Sequence, residues 1–578
     1  MFADQDDFPL KRRHVLGVLT ALGVGSRVFR RALADEVAKA GGITADAIAS
    51  AEWVAGLTLD DDARTATAAA MAGVTRQLGT LRNIDVGYDA IPAVRFDPEL
   101  VDPESPHRSR LCPPYLIPSA ESIPSATDSS VAPTQTPANS TEVNTTNLPH
   151  PFAFMTIRQL AKGLRDRQWT STDLTRASIE GLRAADPKLL NVVNITEELA
   201  LRQAAEADRQ LQAGEDRGLL HGIPWGAKDL IAVEGYPTTW GASQFRDRTL
   251  AETATVAKRL SERGAVLVAK LSLGALAMGD QWFGGMTRNP WNPEQGSSGS
   301  SAGSASAVAA GLVPFAIGSE TLGSIVSPAR RCGVTALRPT FGRISRAGCM
   351  TLSWTMDKLG PIARTIDDCG LVFEAIHGSD PADPTTVDRW FNWPVAADLT
   401  QVRIGHVQNR NSATADQVLL EVLREHKAQI VPIELPSEID EWSLAMMLDV
   451  EAATVFHQLT VENNLEGLNA WPAIFRKSHF VSAIDFLHAA RVRTMLMRQM
   501  AEVFRGIDMY VGGGDLGITN LTGHPTAVVP VMLNDNAEHQ QPICGTITGR
   551  LYDEAGLLAI GLKVEKSVGL GHHVPKLG

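Results

Sequence analysis

From Gly296 to Ser304 the chain reads Gly-Ser-Ser-Gly-Ser-Ser-Ala-Gly-Ser, nine residues with no side chain larger than a hydroxymethyl, and it runs directly into the Ala-rich stretch Ala305 to Ala310. Taken alone such a run is a flexible linker. Its flanks argue otherwise: Asn289-Pro290-Trp291-Asn292-Pro293 precedes it, and the apolar run Leu312 to Ile317 follows the helical Ala-rich stretch. Small residues between a turn cluster and a buried helix and strand permit close backbone packing, the setting of an active-site loop.

Further on, Gly318 to Ala329 reads Gly-Ser-Glu-Thr-Leu-Gly-Ser-Ile-Val-Ser-Pro-Ala, a strand end turning sharply into a helix. A serine in such a turn is commonly an N-cap. The other use of the geometry is a nucleophile, Ser324, preceded by successive backbone N–H groups aimed at a developing oxyanion. Upstream, Gly222 to Val233 sets Lys228 in an apolar context between turn residues. A lone lysine is most often a solvated surface charge, and the adjacent Asp229 can pair elsewhere.

Together these three segments resemble the amidase signature family. Lys228, the Ser300-Ser301 pair and Ser324 fall in the family's order and approximate spacing, and the likeness continues through Cys332 to Arg343 and Met356 to Thr365. Asn520 to Pro525 and Gly549 to Glu554 also look like family segments, so the resemblance covers about Phe154 to Gly378 and Asp508 to Ile560. The helical middle is weakly matched, and residues before about Leu148 lie outside it.

The resemblance implies an α/β fold with a mixed central β-sheet covered by helices on both faces. It implies an amidase that hydrolyses the C–N bond of a linear carboxylic amide to a carboxylate and ammonia or an amine, with no cofactor and no metal. The implied machinery is a Ser-cisSer-Lys triad: Ser324 as nucleophile, Ser300 as bridge after a cis Gly299–Ser300 peptide, and Lys228 as base. The oxyanion hole transfers to the N–H groups of Thr321, Leu322 and Gly323, with Ser319 and Ser301 in support. The residue types suit that chemistry. A serine attacking an amide must lose its proton to a base, and a lysine serves only when burial keeps it neutral.

Many family members carry two glycines before the nucleophile and an arginine two residues after it, whereas this chain has Leu322-Gly323 and Val326. The segment is closer to the branch that resembles peptide amidases, which weakens the analogy to the amidotransferases that act on charged tRNA. Ala302 stands where glycine is usual, a mild change at negative φ.

Rival motifs are present. Gly299-Ser300-Ser301-Ala302-Gly303 satisfies G-x-S-x-G with Ser301 as nucleophile, but that elbow needs a strand directly before it and a partner histidine, and neither is marked out. Gly512 to Gly517 satisfies G-x-G-x-x-G after a short apolar strand, yet a dinucleotide site needs a helix to open there and Asn520 to Pro525 interrupts. His572-His573 reads as tail rather than metal site, and Cys332 as a small core residue. A degenerate, non-catalytic binding protein predicts a broken triad, and Lys228, Ser300 and Ser324 are all present.

The remainder of the 578 residues sets the frame. A net charge of −12 without a basic patch argues against nucleic acid. Five cysteines without C-x-x-C spacing suggest neither disulfides nor zinc. The longest apolar runs, Val15 to Gly25 and Ala305 to Gly318, are shorter than the about 20 residues that span a bilayer.

Residues 1–34, with Lys11-Arg12-Arg13-His14 before Val15 to Gly25 and with Ala32-Leu33-Ala34, resemble a twin-arginine export signal; Arg27, Arg30 and Arg31 fit an amphipathic N-terminal helix instead. The expected location is accordingly either exported or cytoplasmic. Residues 35–100 are expected as a helical extension and 101–150 as a Pro/Ser/Thr-rich linker. An amidase domain over 151–570 follows, with a mainly helical substrate-region insertion at about 383–505. Within that insertion Ile484, Leu487, Ala490, Met495, Met497 and Val503 outline one Met-rich helix face, expected to pack in a core. The expected partner is a small-molecule amide, and a homodimer is left open.

Overall fold

The computed structural model describes residues 43–55, 57–84, 115–117, 148–411, 413–534, 540–570 and 573–576. The export-signal reading of 1–34 and His572 lie outside them. Two compact units result: a larger one of Asp97–Thr351, Met356–Pro436 and Gln499–Gly578, and a smaller one of Met1–Phe96, Leu352–Thr355 and Ser437–Arg498. No described helix is long and apolar enough to cross a membrane.

The larger unit is built on an eleven-stranded sheet. In chain order its strands are β1 (Val192–Ile195), β2 (Pro224–Lys228), β3 (Val266–Leu271), β4 (Phe315–Glu320), β5 (Thr335–Arg338) and β6 (Lys358–Ala363). They are followed by β7 (Arg403–Val407), β8 (Gln429–Ile433), β9 (Met509–Val511), β10 (Thr526–Leu533) and β11 (Pro542–Gly549). The spatial order is β8-β7-β9-β11-β10-β5-β6-β4-β2-β3-β1. β8, β7 and β9 run parallel, as do β4, β2 and β3, and the other pairings are antiparallel.

The central strands are apolar and buried on both faces, as a sheet covered by helices requires. One continuous core joins Val266, Val268, Ala305, Val308, Ile325, Ala329 and Ile362. This is the mixed sheet with helical cover that the sequence leads one to expect.

One local reading is refined. The sequence sets Lys228 in an apolar context between turn residues; in the structure Lys228 ends the strand Pro224–Lys228, and Ile231 beyond it forms a single bridge, to Cys349. Pro224 and Gly226 disguise the strand. Proline is tolerated at a strand's first residue, and a Cβ at Gly226 would lie 2.3 Å from Leu271 Cδ1, so the glycine lets β2 close on β3. The mainly helical stretch 383–505 also supplies the strands Arg403–Val407 and Gln429–Ile433, which join the sheet around the helix Thr414–Glu425. Within the linker, Tyr115 is buried with its phenol donating to Asp553, and Leu116–Ile117 pairs with Ala396–Ala397.

The smaller unit is helical. It holds Ala45–Ala55 and Asp61–Arg82 from the extension together with Glu441–Leu444, Met446–Val455, His457–Val461, Trp471–Ser478 and most of Ala483–Arg505. The polar break before residue 61 works as a cap: Asp60 Oδ1 accepts from Ala63 N at 2.8 Å. Trp471–Ser478 packs against Asp61–Arg82. His479 donates to Ala55 O at 3.1 Å and His488 to Leu81 O at 2.8 Å. Leu352–Thr355 belongs to this unit, held by Glu451, which accepts from Ser353 Oγ and Thr355 Oγ1, and by Arg493, which donates to Thr355 O. In Ala483–Arg505 the expected apolar face is buried only in part: Ile484, Leu487 and Met497 are exposed, Met495 and Val503 are half-buried and Ala490 is buried beside Ala489, Val492, Leu496 and Met500, which complete the buried seam.

Candidate active site

The site forms at the carboxyl ends of the parallel neighbours β2 and β4, where Ala227 pairs with Ile317. Lys228 ends β2, and Ser319 and Glu320 end β4. The small-residue segment leads into helix α1 (Ala302–Ala309), whose eight residues are all buried. Small side chains are what allow this packing: a Cβ at Gly299 would lie 1.9 Å from Gly279 O, and one at Gly303 2.5 Å from Asn191 O. The Gly299–Ser300 peptide is cis, as the resemblance implies. Ala302, in the place of a usual glycine, has no positive φ.

Lys228 is wholly buried, and its Nζ lies within hydrogen-bond distance of Ser300 Oγ at 2.8 Å, Ser301 Oγ at 3.1 Å and Ser319 Oγ at 2.9 Å. Ser319 O lies 3.3 Å from the same nitrogen. Burial pushes the amine far below its usual value, against the opposing charges of Asp357 and Glu320. Asp229 does not compensate it, because its carboxylate is taken by Lys270 Nζ at 2.7 Å and by Thr239 N at 2.8 Å. Ser301 is fixed twice: its hydroxyl donates to Ser319 O at 3.0 Å and accepts from Ser319 N at 3.1 Å. Buried and fully engaged with Lys228 and Ser319, it lacks the exposed, histidine-paired setting of a G-x-S-x-G nucleophile.

After β4 the chain turns through Thr321, Leu322, Gly323 and Ser324 into helix α2 (Val326–Cys332). Gly323 has φ +87°, and a Cβ there would lie 3.0 Å from Ser327 Oγ, so this turn needs glycine. Among the described residues the N–H groups of Thr321, Leu322 and Gly323 have no acceptor. Ser324 is tied to the lysine cluster through its backbone, with Ser301 N donating to Ser324 O at 3.0 Å. Its own hydroxyl makes no hydrogen bond among the described residues. At 9% exposure it is the most accessible of the three, against 0% for Lys228 and 1% for Ser300. Catalytic hydrogen bonds often tighten only when substrate is present.

The sequence does not reveal the surrounding supports. Thr321 Oγ1 donates to Asp357 Oδ1 at 2.6 Å. Glu320 is buried with Arg338, whose Nη1 lies 2.9 Å from Oε1. Burial favours the neutral acid, yet Arg338 and the N–H of Val326 outweigh it and hold the carboxyl at about 2. Asp357, Arg338 and Asn520 all lie inside the family-like segments, but only the fold shows what they touch.

The other singled-out residues take structural places. Cys332 is buried, and burial pushes its thiol well up. At Gly512 to Gly517 a helix, α3 (Leu516–Thr522), does open after β9, contrary to expectation. It spans only 7 residues, and Asp515 at its start is buried against Tyr510 and Thr548. No cluster of metal-ligating side chains occurs among the described residues.

The mixed sheet thus brings a buried lysine, a serine pair and a turn serine together at the ends of two parallel strands, as expected of an amidase signature fold. The family model described as Amidase matches residues 173–513, and the chain belongs to the amidase signature family, enzymes acting on C–N bonds. A glutamyl-tRNA(Gln) amidotransferase subunit of Roseiflexus castenholzii is 31% identical over 475 residues, covering 71% of this chain and 95% of that protein. The crystal structure of native peptide amidase from Stenotrophomonas maltophilia superposes with a TM-score of 0.63 at 27% identity, covering 74% of this chain and 99% of that one. A bacterial aryl acylamidase shares the fold, with a TM-score of 0.65 at 21% identity over 73% of this chain and 100% of that one.

Proposed function

We propose that the chain hydrolyses the C–N bond of a linear carboxylic amide through an acyl-enzyme on Ser324. The observation that carries this reading is Lys228: a wholly buried amine, denied a carboxylate by the Asp229–Lys270 pair, with its Nζ 2.8 Å from Ser300 Oγ. A neutral amine has two N–H bonds and one lone pair. Ser301 Oγ and Ser319 are placed to take the N–H bonds, which leaves the lone pair to receive a proton from Ser300.

On that footing Ser324 Oγ attacks the amide carbon while its proton passes to Ser300 and the Ser300 proton passes to Lys228. The carbonyl π pair moves onto oxygen, which the N–H groups of Thr321, Leu322 and Gly323 receive. Collapse breaks the C–N bond, and Lys228 returns its proton through Ser300 to the leaving nitrogen. Water then repeats the cycle on the ester, releasing the carboxylate and Ser324. The identity to an amidotransferase component favours a second reading, in which the released nitrogen is passed to an acceptor.

Intact-mass analysis after fluorophosphonate treatment tests the nucleophile without knowledge of the substrate. The expected result is one adduct on the wild type and none on Ser324→Ala; an adduct that survives in Ser324→Ala overturns the assignment. Ammonia or amine released from simple amides without any acceptor separates hydrolysis from transfer.

A further inference from the structure

The turn that carries Ser324 is closed by a side chain in addition to its own backbone bond, in which Ser327 N donates to Gly323 O at 2.8 Å. Glu320 Oε2 accepts from Ile325 N at 2.8 Å and Val326 N at 3.0 Å, the N–H groups directly after Ser324. Helix α2 receives no side-chain cap from its own N-cap residue, Ile325, so the cap comes from five residues upstream, across the turn. The other oxygen, Oε1, accepts from Arg338 Nη1 at 2.9 Å and Asn520 Nδ2 at 2.7 Å. Arg338 Nη2 in turn donates to His524 O at 2.8 Å and Thr526 Oγ1 at 2.6 Å, which anchors the assembly to β10. Glu320, Arg338 and Asn520 are all wholly buried.

A neutral Ser or Asn would cap a helix without burying charge, and a buried ion pair is weak evidence for stability. The pair is nevertheless built onto the residue that joins β4 to the turn. On the reading of Ser324 as nucleophile, we infer that Glu320 is a positioning residue: held by Arg338 and Asn520, it clamps both ends of the turn and so fixes Ser324 and the N–H groups of Thr321 to Gly323 in their reactive directions. The clamp leaves those N–H groups free to turn toward an incoming oxygen, while the N–H groups of the next two residues are taken by the carboxylate.

Glu320→Gln tests it. The amide keeps an oxygen for Ile325 and Val326 but sets an NH2 group against the donors of Arg338 and Asn520, so the clamp loosens while the volume stays. The expected result is a kcat lower by about 10- to 100-fold, the scale of a misplaced reacting group, with KM within about threefold. The split between kcat and KM is the readout that a merely structural role would not produce; the loss of the Glu320 charge, which opposes the neutralisation of Lys228, also moves the acid limb of the rate profile to lower pH.

A folded Glu320→Gln with wild-type kcat, or with changes only in melting temperature and KM, overturns the inference. If that variant does not fold, Asn520→Ala removes one donor and no charge; a kcat lower by about three- to tenfold is then expected, in line with one neutral hydrogen bond, and an unchanged kcat overturns the inference. Ser324→Ala is measured alongside. Turnover surviving there overturns the nucleophile itself, whereas an inert Ser324→Ala beside a fully active Glu320→Gln overturns the clamp alone.

Discussion

Asp229 and Lys270 form an ion pair across the parallel strands β2 and β3, with Nζ 2.7 Å from Oδ1 and both side chains wholly buried. The register sets Lys270 opposite Ala227, one residue from Lys228. The carboxylate nearest to Lys228 in sequence is thereby paired with a different lysine, which leaves Lys228 without that counter-charge. Thr239 and Thr238 complete the arrangement, donating to Asp229 and accepting from Lys270.

Breaking this pair from one side leaves a lone buried charge. Lys270→Met is expected to lower stability by about 3 to 5 kcal/mol in urea unfolding, and Asp229→Asn combined with Lys270→Met to recover most of the loss. A double variant as unstable as the single one would assign the loss to packing.

On the proposed mechanism the reacting form of Lys228 is the neutral amine, so turnover is expected to rise as pH climbs through its depressed pKa and then level. Lys228→Arg cannot substitute, because a guanidinium does not lose its proton. Its kcat is expected to fall by at least about 100-fold at every pH, as general-base removal does, with the melting temperature measured in parallel to show that it folds.

The same depressed pKa makes stability depend on pH. The unfolded chain holds the Lys228 proton up to pH about 10.4, while the folded chain releases it earlier. Stability contributed by this group therefore rises with pH between the folded value and about 10.4, and below the folded value the slope vanishes. Denaturation across neutral to alkaline pH is expected to show a slope in the wild type steeper by about one proton than in Lys228→Met.

Thr321 sits at the first N–H of the turn, and its hydroxyl is held by Asp357 at 2.6 Å. Thr321→Val keeps the shape and removes the hold. A kcat lower by about tenfold is expected, with KM little changed, in steady-state amide hydrolysis.

Gly323 occupies the left-handed region, where a side chain costs about 1 to 2 kcal/mol. Gly323→Ala is expected to lower kcat by about 5- to 30-fold, because the same turn aims the N–H groups and carries Ser324. Fluorophosphonate labelling rates measure this without a substrate.

What is legible in the sequence is what is local. The small-residue segment, Lys228, Ser300 and Ser324 stand out because loop packing and a sharp turn leave short, unusual strings. Val266–Leu271 and Phe315–Glu320 are apolar runs and read as strands with ends a few residues off. Pro224–Lys228 does not, since Pro224 and Gly226 are poor strand formers and Gly226 answers to the neighbouring Leu271 rather than to strand propensity. Glu320 with Arg338, and Asp229 with Lys270, are out of reach because each partnership depends on sheet register between residues 18 and 41 positions apart. The buried face of Ala483–Arg505 escapes for a related reason: apolar spacing proposes a face, but the neighbours that bury it decide which one is used.

The smaller unit has a consequence for how such a chain can change over generations. Its helices come from two distant stretches, residues 45–82 and 437–498, and they share contacts such as His479 with Ala55 and His488 with Leu81. Neither stretch is a cassette. A deletion that dropped the N-terminal helices would bare the surface of Trp471–Ser478, and a deletion of the middle would strand Asp61–Arg82, so removing either stretch exposes apolar surface on the other.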